Sequence, residues 1–202
     1  MEPLPTGISV LDREFGGGIP SGSVVALKAE PASQSELILD RFSRVRECRY
    51  LTTVRSADAV EASLAPGDDG TIVRDATGDD PLATVLDAAA ALPDGGTVVV
   101  DSVGPLEAGE GYGEFLSDLR RRVADAGGLV VLHALKAGAP DRNRIVTEQV
   151  ADVVFDLRTT VTGTEIANRL VVPKFRGGAA LEEPLKLKLT DSVSVDTSRD
   201  IA

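Results

Sequence analysis

Residues 5–31 read PTGISVLDREFGGGIPSGSVVALKAEP, and the order of parts in this stretch decides the fold. Gly16, Gly17, Gly18, Pro20 and Gly22 make a turn-rich approach. It delivers the chain into SVVALK (23–28), an apolar run of strand length. The loop AEPASQSE (29–36) comes next. Beyond it Leu37, Ile38, Phe42 and Val45 share one face, which predicts a helix over about 33–47. Strand, loop and helix in this order are how mononucleotide-binding folds cradle phosphate, because backbone N–H groups and the helix dipole converge at the helix start.

Outward from this unit the alternation continues. YLTTV (50–54), TIVR (71–74), TVVVD (97–101) and LVVLHA (129–134) read as strands. Helices are expected over Ser56–Leu64, from Asp80-Pro81 through Leu92, with proline in the first turn, and over about 111–126. After Glu148 the pattern changes to strands at 152–160, 166–173, 185–190 and 193–196, separated by Gly-containing turns. In the third of these, Lys186 and Lys188 alternate with Leu185, Leu187 and Leu189, as in a half-exposed antiparallel strand. The expected fold is one α/β domain over residues 1–202, a mostly parallel sheet between helices extended by antiparallel C-terminal strands.

The chain has 202 residues, 32 acidic against 21 basic, a net charge of −11, and 43% hydrophobic residues. That length and composition suit one domain with a full core. No apolar run reaches the roughly 18–20 residues of a membrane span, and MEPLPTGISV lacks the basic and apolar regions of a signal peptide, so a cytoplasmic protein with no membrane partner is expected. Five Lys, 16 Arg and 19 Asp suggest a proteome adapted to high salt. An acidic surface repels phosphate backbones, which disfavours direct nucleic-acid binding. Cys48 and His133, the single residues of their types, cannot build a structural zinc site, so no metal is expected.

The ATP-binding pattern for the loop is G-x-x-x-x-G-K-[ST]. Here Ala29 and Gln34 stand for its glycines, Ser35 for its lysine and Glu36 for its magnesium-binding hydroxyl. No cation remains for the phosphates. Glu30 and Glu36 add two carboxylates to a loop meant for polyphosphate. Residues Ala29, Glu30, Pro31, Ala32, Ser33, Gln34, Ser35 and Glu36 therefore read as a vestigial phosphate loop. The spacing S-x-x-E at Ser33 and Glu36 predicts a capping box in place of a ligand, with Ser33 as N-cap.

With those residues in view, PTGISVLDREFGGGIPSGSVV closely resembles the segment that precedes the phosphate loop in the RecA superfamily, in particular its KaiC/RadA-like branch. The resemblance runs in order along nearly the whole chain. TVVVDS (97–102) looks like the Walker B strand, which puts Asp101 where magnesium is held through water. ADVVFDLR (151–158) and RLVVPKFRGG (169–178) look like the C-terminal strands, whose K-x-R-G element is matched by Lys174, Arg176 and Gly177. In KaiC-like assemblies this element reaches a neighbour's nucleotide, so the resemblance implies a trans-acting role for Lys174 and Arg176; the residues alone read as exposed ends of an antiparallel strand. The family's catalytic carboxylate belongs just after the second strand, where LTTVRSAD (51–58) has Arg55 and Ser56 instead.

These departures predict a catalytically inactive homologue with no catalytic residues and no ATP or magnesium cofactor. It would act as a regulatory or scaffolding subunit in a homo- or hetero-oligomer with RecA/KaiC-like subunits. The alternatives are an atypical nucleotide-binding protein with little or no hydrolysis, or a DNA-repair or signalling accessory protein. Asp101 alone reads as a solvated or capping carboxylate. His133, at a strand end, reads as a structural histidine or a site residue. No Ser or Cys nucleophile is signposted near it, and Ser102, which follows Asp101, is not read as one because the chain has no G-x-S-x-G elbow. Arg120, Arg121 and Arg122 read as a solvated face paired with Asp118 and Asp125, and KAGAPDRNR (136–144) as a loop without an aromatic for base stacking.

Overall fold

The strand expected at 23–28 lies inside a nine-stranded sheet. The computed structural model describes residues 2–64, 70–136, 138, 142–163 and 165–196. In chain order the elements are β1 (Pro3–Leu4), α1 (Ser9–Glu14), β2 (Ile19–Pro20), β3 (Val24–Ala29), α2 (Glu36–Arg44), β4 (Cys48–Thr52), α3 (Ala57–Glu61), β5 (Thr71–Asp75) and α4 (Pro81–Ala90). They continue as β6 (Thr97–Asp101), α5 (Gly104–Glu107), α6 (Tyr112–Asp125), β7 (Leu129–Leu135), α7 (Arg142–Val150), β8 (Val153–Thr162), β9 (Glu165–Phe175), β10 (Leu185–Leu189) and β11 (Val193–Val195). The large sheet has the order β11-β10-β9-β8-β3-β7-β6-β4-β5. Strands β8, β3, β7, β6, β4 and β5 pair in parallel, and β8 to β11 pair antiparallel. This is the mixed architecture expected from the sequence.

Both faces of the central parallel part are covered, so β3, β6 and β7 are largely apolar. Val25, Leu27 and Ala29 of β3 face α1, α2 and α3, where Leu11, Ile38, Phe42 and Val60 are buried. Val24 and Ala26 face the other way, onto α4 and α6 through Val85, Ala88, Phe115 and Leu119. The approach segment is fastened to the first of these layers. The Thr6 N–H and hydroxyl both donate to Asp12 Oδ1, at 2.6 and 2.8 Å. Gly7 has φ +79°, and a Cβ there would lie 2.5 Å from the Arg41 carbonyl oxygen of α2. Only glycine admits both conditions.

Several expectations are corrected. The helix predicted over 33–47 spans only Glu36–Arg44. Ser33 does not cap it, because its hydroxyl turns back to donate to the Glu30 carbonyl at 2.6 Å and closes a turn there. The N-cap position belongs to Ser35, whose side chain makes no capping bond, so the expected capping box is not formed. Part of the segment read as a loop at 136–144 is helical: Arg142 opens α7, while residues 137 and 139–141 lie outside the described residues. Of the arginine run, only Arg121 makes the expected pair, with Asp118 at 2.8 Å. Arg120 reaches Asp152, and Arg122 donates to the Leu86 carbonyl.

Real caps occur elsewhere. Asp80 accepts the Ala83 N–H at 2.9 Å at the start of α4, with Pro81 in the first turn as predicted. Asp80→Ala is expected to destabilise the protein by about 1 kcal/mol. Ser33→Ala, which removes no cap, is expected to change stability by less than about 0.5 kcal/mol. Paired urea denaturation curves check both.

Candidate functional site

The carboxyl ends of β3, β7, β6 and β4 meet at one point, and a buried polar relay occupies it. Asp101 ends β6 and His133 lies in β7; the two are register partners in adjacent parallel strands, so their side chains leave the same face of the sheet. That face is covered by α2, which carries Ser35 at its start. His133 Nδ1 lies 2.6 Å from Asp101 Oδ1, and His133 Nε2 lies 2.9 Å from Ser35 Oγ. Ser35 and His133 are each 1% exposed and Asp101 is 7% exposed. An ionised carboxylate only accepts, so Nδ1 carries the proton toward Asp101. In the neutral form of the ring, Nε2 is the acceptor for the Ser35 hydroxyl.

The other carboxylate oxygen is held as firmly. Asp101 Oδ2 accepts from Tyr50 at 2.9 Å and from Arg55 at 2.8 Å. Burial by itself would push the Asp101 carboxyl up. The hydrogen bond and charge of His133, then the bonds from Arg55 and Tyr50, outweigh burial and bring it down to about 2. Burial first, and then the Asp101 charge, push the Tyr50 phenol up. Burial would lower the Arg55 guanidinium, but its bond to Asp101 raises it. Asp101 is therefore neither solvated nor a helix cap, as the sequence had suggested, but a buried carboxylate with three donors. His133 belongs to this site, and a serine does stand beside it. Sequence reasoning missed that serine by treating Ser35 only as a lost lysine.

The remaining loop residues are fixed around the relay. Ala29 ends β3, paired with Leu135 of β7. Glu30 lies 3.4 Å from Lys136, and Pro31 and Ala32 are exposed. Ser33 Oγ is 3.1 Å from Ser35 Oγ. With its amide nitrogen turned toward β10, Gln34 donates to the Thr190 and Leu189 carbonyls at 2.9 and 3.1 Å. Glu36 is exposed at the mouth of a cavity of about 410 Å³ that is also lined by Gln34, Tyr50 and Arg55. Among the described residues, no acceptor meets the backbone N–H of Gln34, Ser35 or Glu36.

Lys174 and Arg176 lie elsewhere. Phe175, between them, pairs with Val153 at the start of β8, whose partner Val25 is at the amino end of β3. The relay stands at the opposite end of the sheet. Lys174 Nζ donates to the Glu148 and Gln149 carbonyls at 2.8 and 3.0 Å, and Arg176 to the Gln149 carbonyl at 3.0 Å. Both cations thus cover the C-terminus of α7, where a helix presents unpaired carbonyls.

A family model described as "Family of unknown function (DUF7125)" matches residues 3–202. The chain belongs to DUF7125. No curated protein matches it. Among solved structures, this DUF7125 chain is similar to the KaiC-like protein PH0186 from the hyperthermophilic archaeon Pyrococcus horikoshii OT3. The TM-score is 0.78 at 17% identity, over 96% of this chain and 99% of that one. It is also similar to the flagellar accessory protein FlaH from Methanocaldococcus jannaschii, with a TM-score of 0.76 at 14% identity, over 94% and 96% of the two chains. At such identities the likeness establishes the fold, which is RecA-like as the resemblance implied.

The Asp101 carboxyl is held at about 2, below its ordinary value of 3.8. Its ionised form therefore contributes stability that is complete above pH 4 and lost as pH falls toward 2. The contribution is about 2 kcal/mol. In DUF7125 wild type and Asp101→Asn, denaturation curves taken between pH 7 and pH 2 should draw together by about that amount below pH 4. A gap independent of pH would show that the charge carries no such stability.

Proposed function

We propose that this chain is a RecA-like subunit that does not turn over ATP and serves as a regulatory or scaffolding partner of other RecA/KaiC-like subunits. The observation that carries this reading is the ion pair between Arg55 and Asp101 at 2.8 Å. Where the family's catalytic carboxylate would polarise water, a guanidinium neutralises the metal-holding carboxylate instead. The other Asp101 oxygen is engaged by His133. A magnesium ion brought to Asp101 would be repelled by the Arg55 guanidinium already paired with that carboxylate, and the ion pair would have to give way. Ser35 supplies no charge where the loop needs a cation, and Glu36 opposes a polyphosphate. The residues present do not fit a magnesium–nucleotide pair.

Purified protein with ATP and magnesium is expected to hydrolyse no more than a buffer blank and to melt at an unchanged temperature. Turnover abolished by Asp101→Ala would overturn the reading. A raised melting temperature without turnover would favour the alternative of a nucleotide-binding subunit.

In this reading, the face that meets a neighbour carries Lys174 and Arg176. Arg176 is 54% exposed despite its bond to α7. Mixed with an active RecA-like paralogue, wild-type protein is expected to raise the paralogue's ATPase rate more than Arg176→Ala does. Equal stimulation by both would leave a scaffold without a trans-acting cation.

A further inference from the structure

A loop that had merely lost ATP would need no buried hydroxyl directed at an imidazole, yet Ser35 is placed in that way. Acyl transfer by a serine has three geometric requirements; the first two are met by contacts at this site, and the third has a candidate group. The nucleophile must touch a base, and Ser35 Oγ lies 2.9 Å from His133 Nε2. The base must be oriented through its other nitrogen, and His133 Nδ1 lies 2.6 Å from Asp101 Oδ1. Donors must face the oxygen that becomes negative. The Glu36 N–H follows the serine directly, opens the nine-residue helix α2 and meets no acceptor among the described residues. Ser35 is the αR residue just before α2, so the N–H of its neighbour is one of the orphan donors that a helix start presents. The chain order Ser35, Asp101, His133 is one that serine hydrolases use.

We propose that Ser35 is the catalytic nucleophile of an acyl-transfer site for small carboxylic esters. His133 is its general base and acid, and Asp101 is the residue that positions His133. Oγ bonds to the ester carbonyl carbon while its proton passes to Nε2, and the carbonyl electrons move to the oxygen facing the Glu36 N–H. Collapse of this intermediate breaks the carbon–alkoxide bond. The leaving alkoxide takes the proton from Nε2 and departs as the alcohol. Water, giving a proton to the same nitrogen, then attacks the acyl-serine; the carboxylic acid leaves and Oγ regains its proton. Tyr50 and Arg55 keep Asp101 from rotating away from His133 by holding its second oxygen. The substrate reaches Oγ by displacing Ser33, whose half-buried hydroxyl lies 3.1 Å from it. The nearby cavity is lined by Gln34, Glu36, Tyr50 and Arg55, neighbours of the relay, and not by Ser35 or His133 themselves. This chemistry is independent of whether the chain binds ATP.

The test uses the full chain with a fluorophosphonate probe and, separately, p-nitrophenyl acetate. The expected result is one covalent adduct per folded chain, located on Ser35 by peptide mass spectrometry and absent from protein unfolded in urea. Ester hydrolysis should exceed that of Ser35→Ala by about 10²-fold or more, the usual contribution of a positioned base. His133→Gln should slow both reactions; if that variant does not fold, the position of the wild-type adduct still decides. Folded wild-type protein that forms no adduct at Ser35, or hydrolyses the ester no faster than Ser35→Ala, overturns the proposal.

Discussion

The buried carboxylate of Asp101 sets the terms for the site and for four elements around it. A carboxylate out of water is unfavourable by several kcal/mol unless it is paired and fully hydrogen-bonded. Strand β6 is buried along its whole length, so the side chain at its end is almost wholly withdrawn from water. The donors must come to it. His133 arrives from β7, Tyr50 from β4, Arg55 from the turn after β4, and Ser35 is drawn in through His133. One charge thereby fixes the relative positions of two neighbouring strands, a turn and the loop that leads into α2. Removing any one donor leaves the others facing an underpaired charge, which makes the group act as a unit.

The same solution recurs at the other end of the sheet. Asp152, 5% exposed, accepts the Val24 N–H and is paired with Arg120 and Arg176. In the helical layer, Glu107 is 4% exposed; Arg144 grips both its oxygens, and Thr147 donates to one of them at 2.6 Å. Planar guanidinium groups suit these sites because they bring several donors in a fixed geometry. An abundance of arginine over lysine therefore has a structural use here, as the partner of carboxylates that hold the ends of strands and helices. Arg144, read from the sequence as part of a short loop, turns out to be one of these partners.

The order of strands and helices was legible because apolar runs and turn residues record it directly. Among the elements that escaped, which also include α1, β1 and β2, α5 and α7 carry little such record. Gly104–Glu107 is a single turn, and in Arg142–Val150 the one buried residue is Thr147, so no apolar stripe marks the helix. The relay was hidden for a different reason. TVVVD and LVVLH have the same form, four buried residues and then a polar one, and that likeness was available in the sequence. Its meaning depends on β6 and β7 being neighbours in register, which is a fact of sheet order and not of chain order. Ser35 was visible as a residue that is not lysine. Where its hydroxyl points is decided by the turn that Ser33 closes with Glu30, a local choice that competes with the capping box the sequence favours.

A serine at the start of α2 can do different things from a lysine placed there. A lysine reaches outward to an anion on a long stem, whereas a serine hydroxyl stays within a bond or two of the backbone and must find a partner there. At the carboxyl edge of this sheet the available partner is His133. A core selected for stability alone gains nothing from this arrangement, since well-packed apolar side chains often serve as well as a buried ionic network or better. What the network provides and apolar packing cannot is a defined proton position: Nδ1–H fixed by Asp101, Nε2 left to the hydroxyl. The loop between β3 and α2 thus holds an oriented hydroxyl beside an imidazole and a carboxylate, and their orientation is the property that distinguishes this site from a collapsed one.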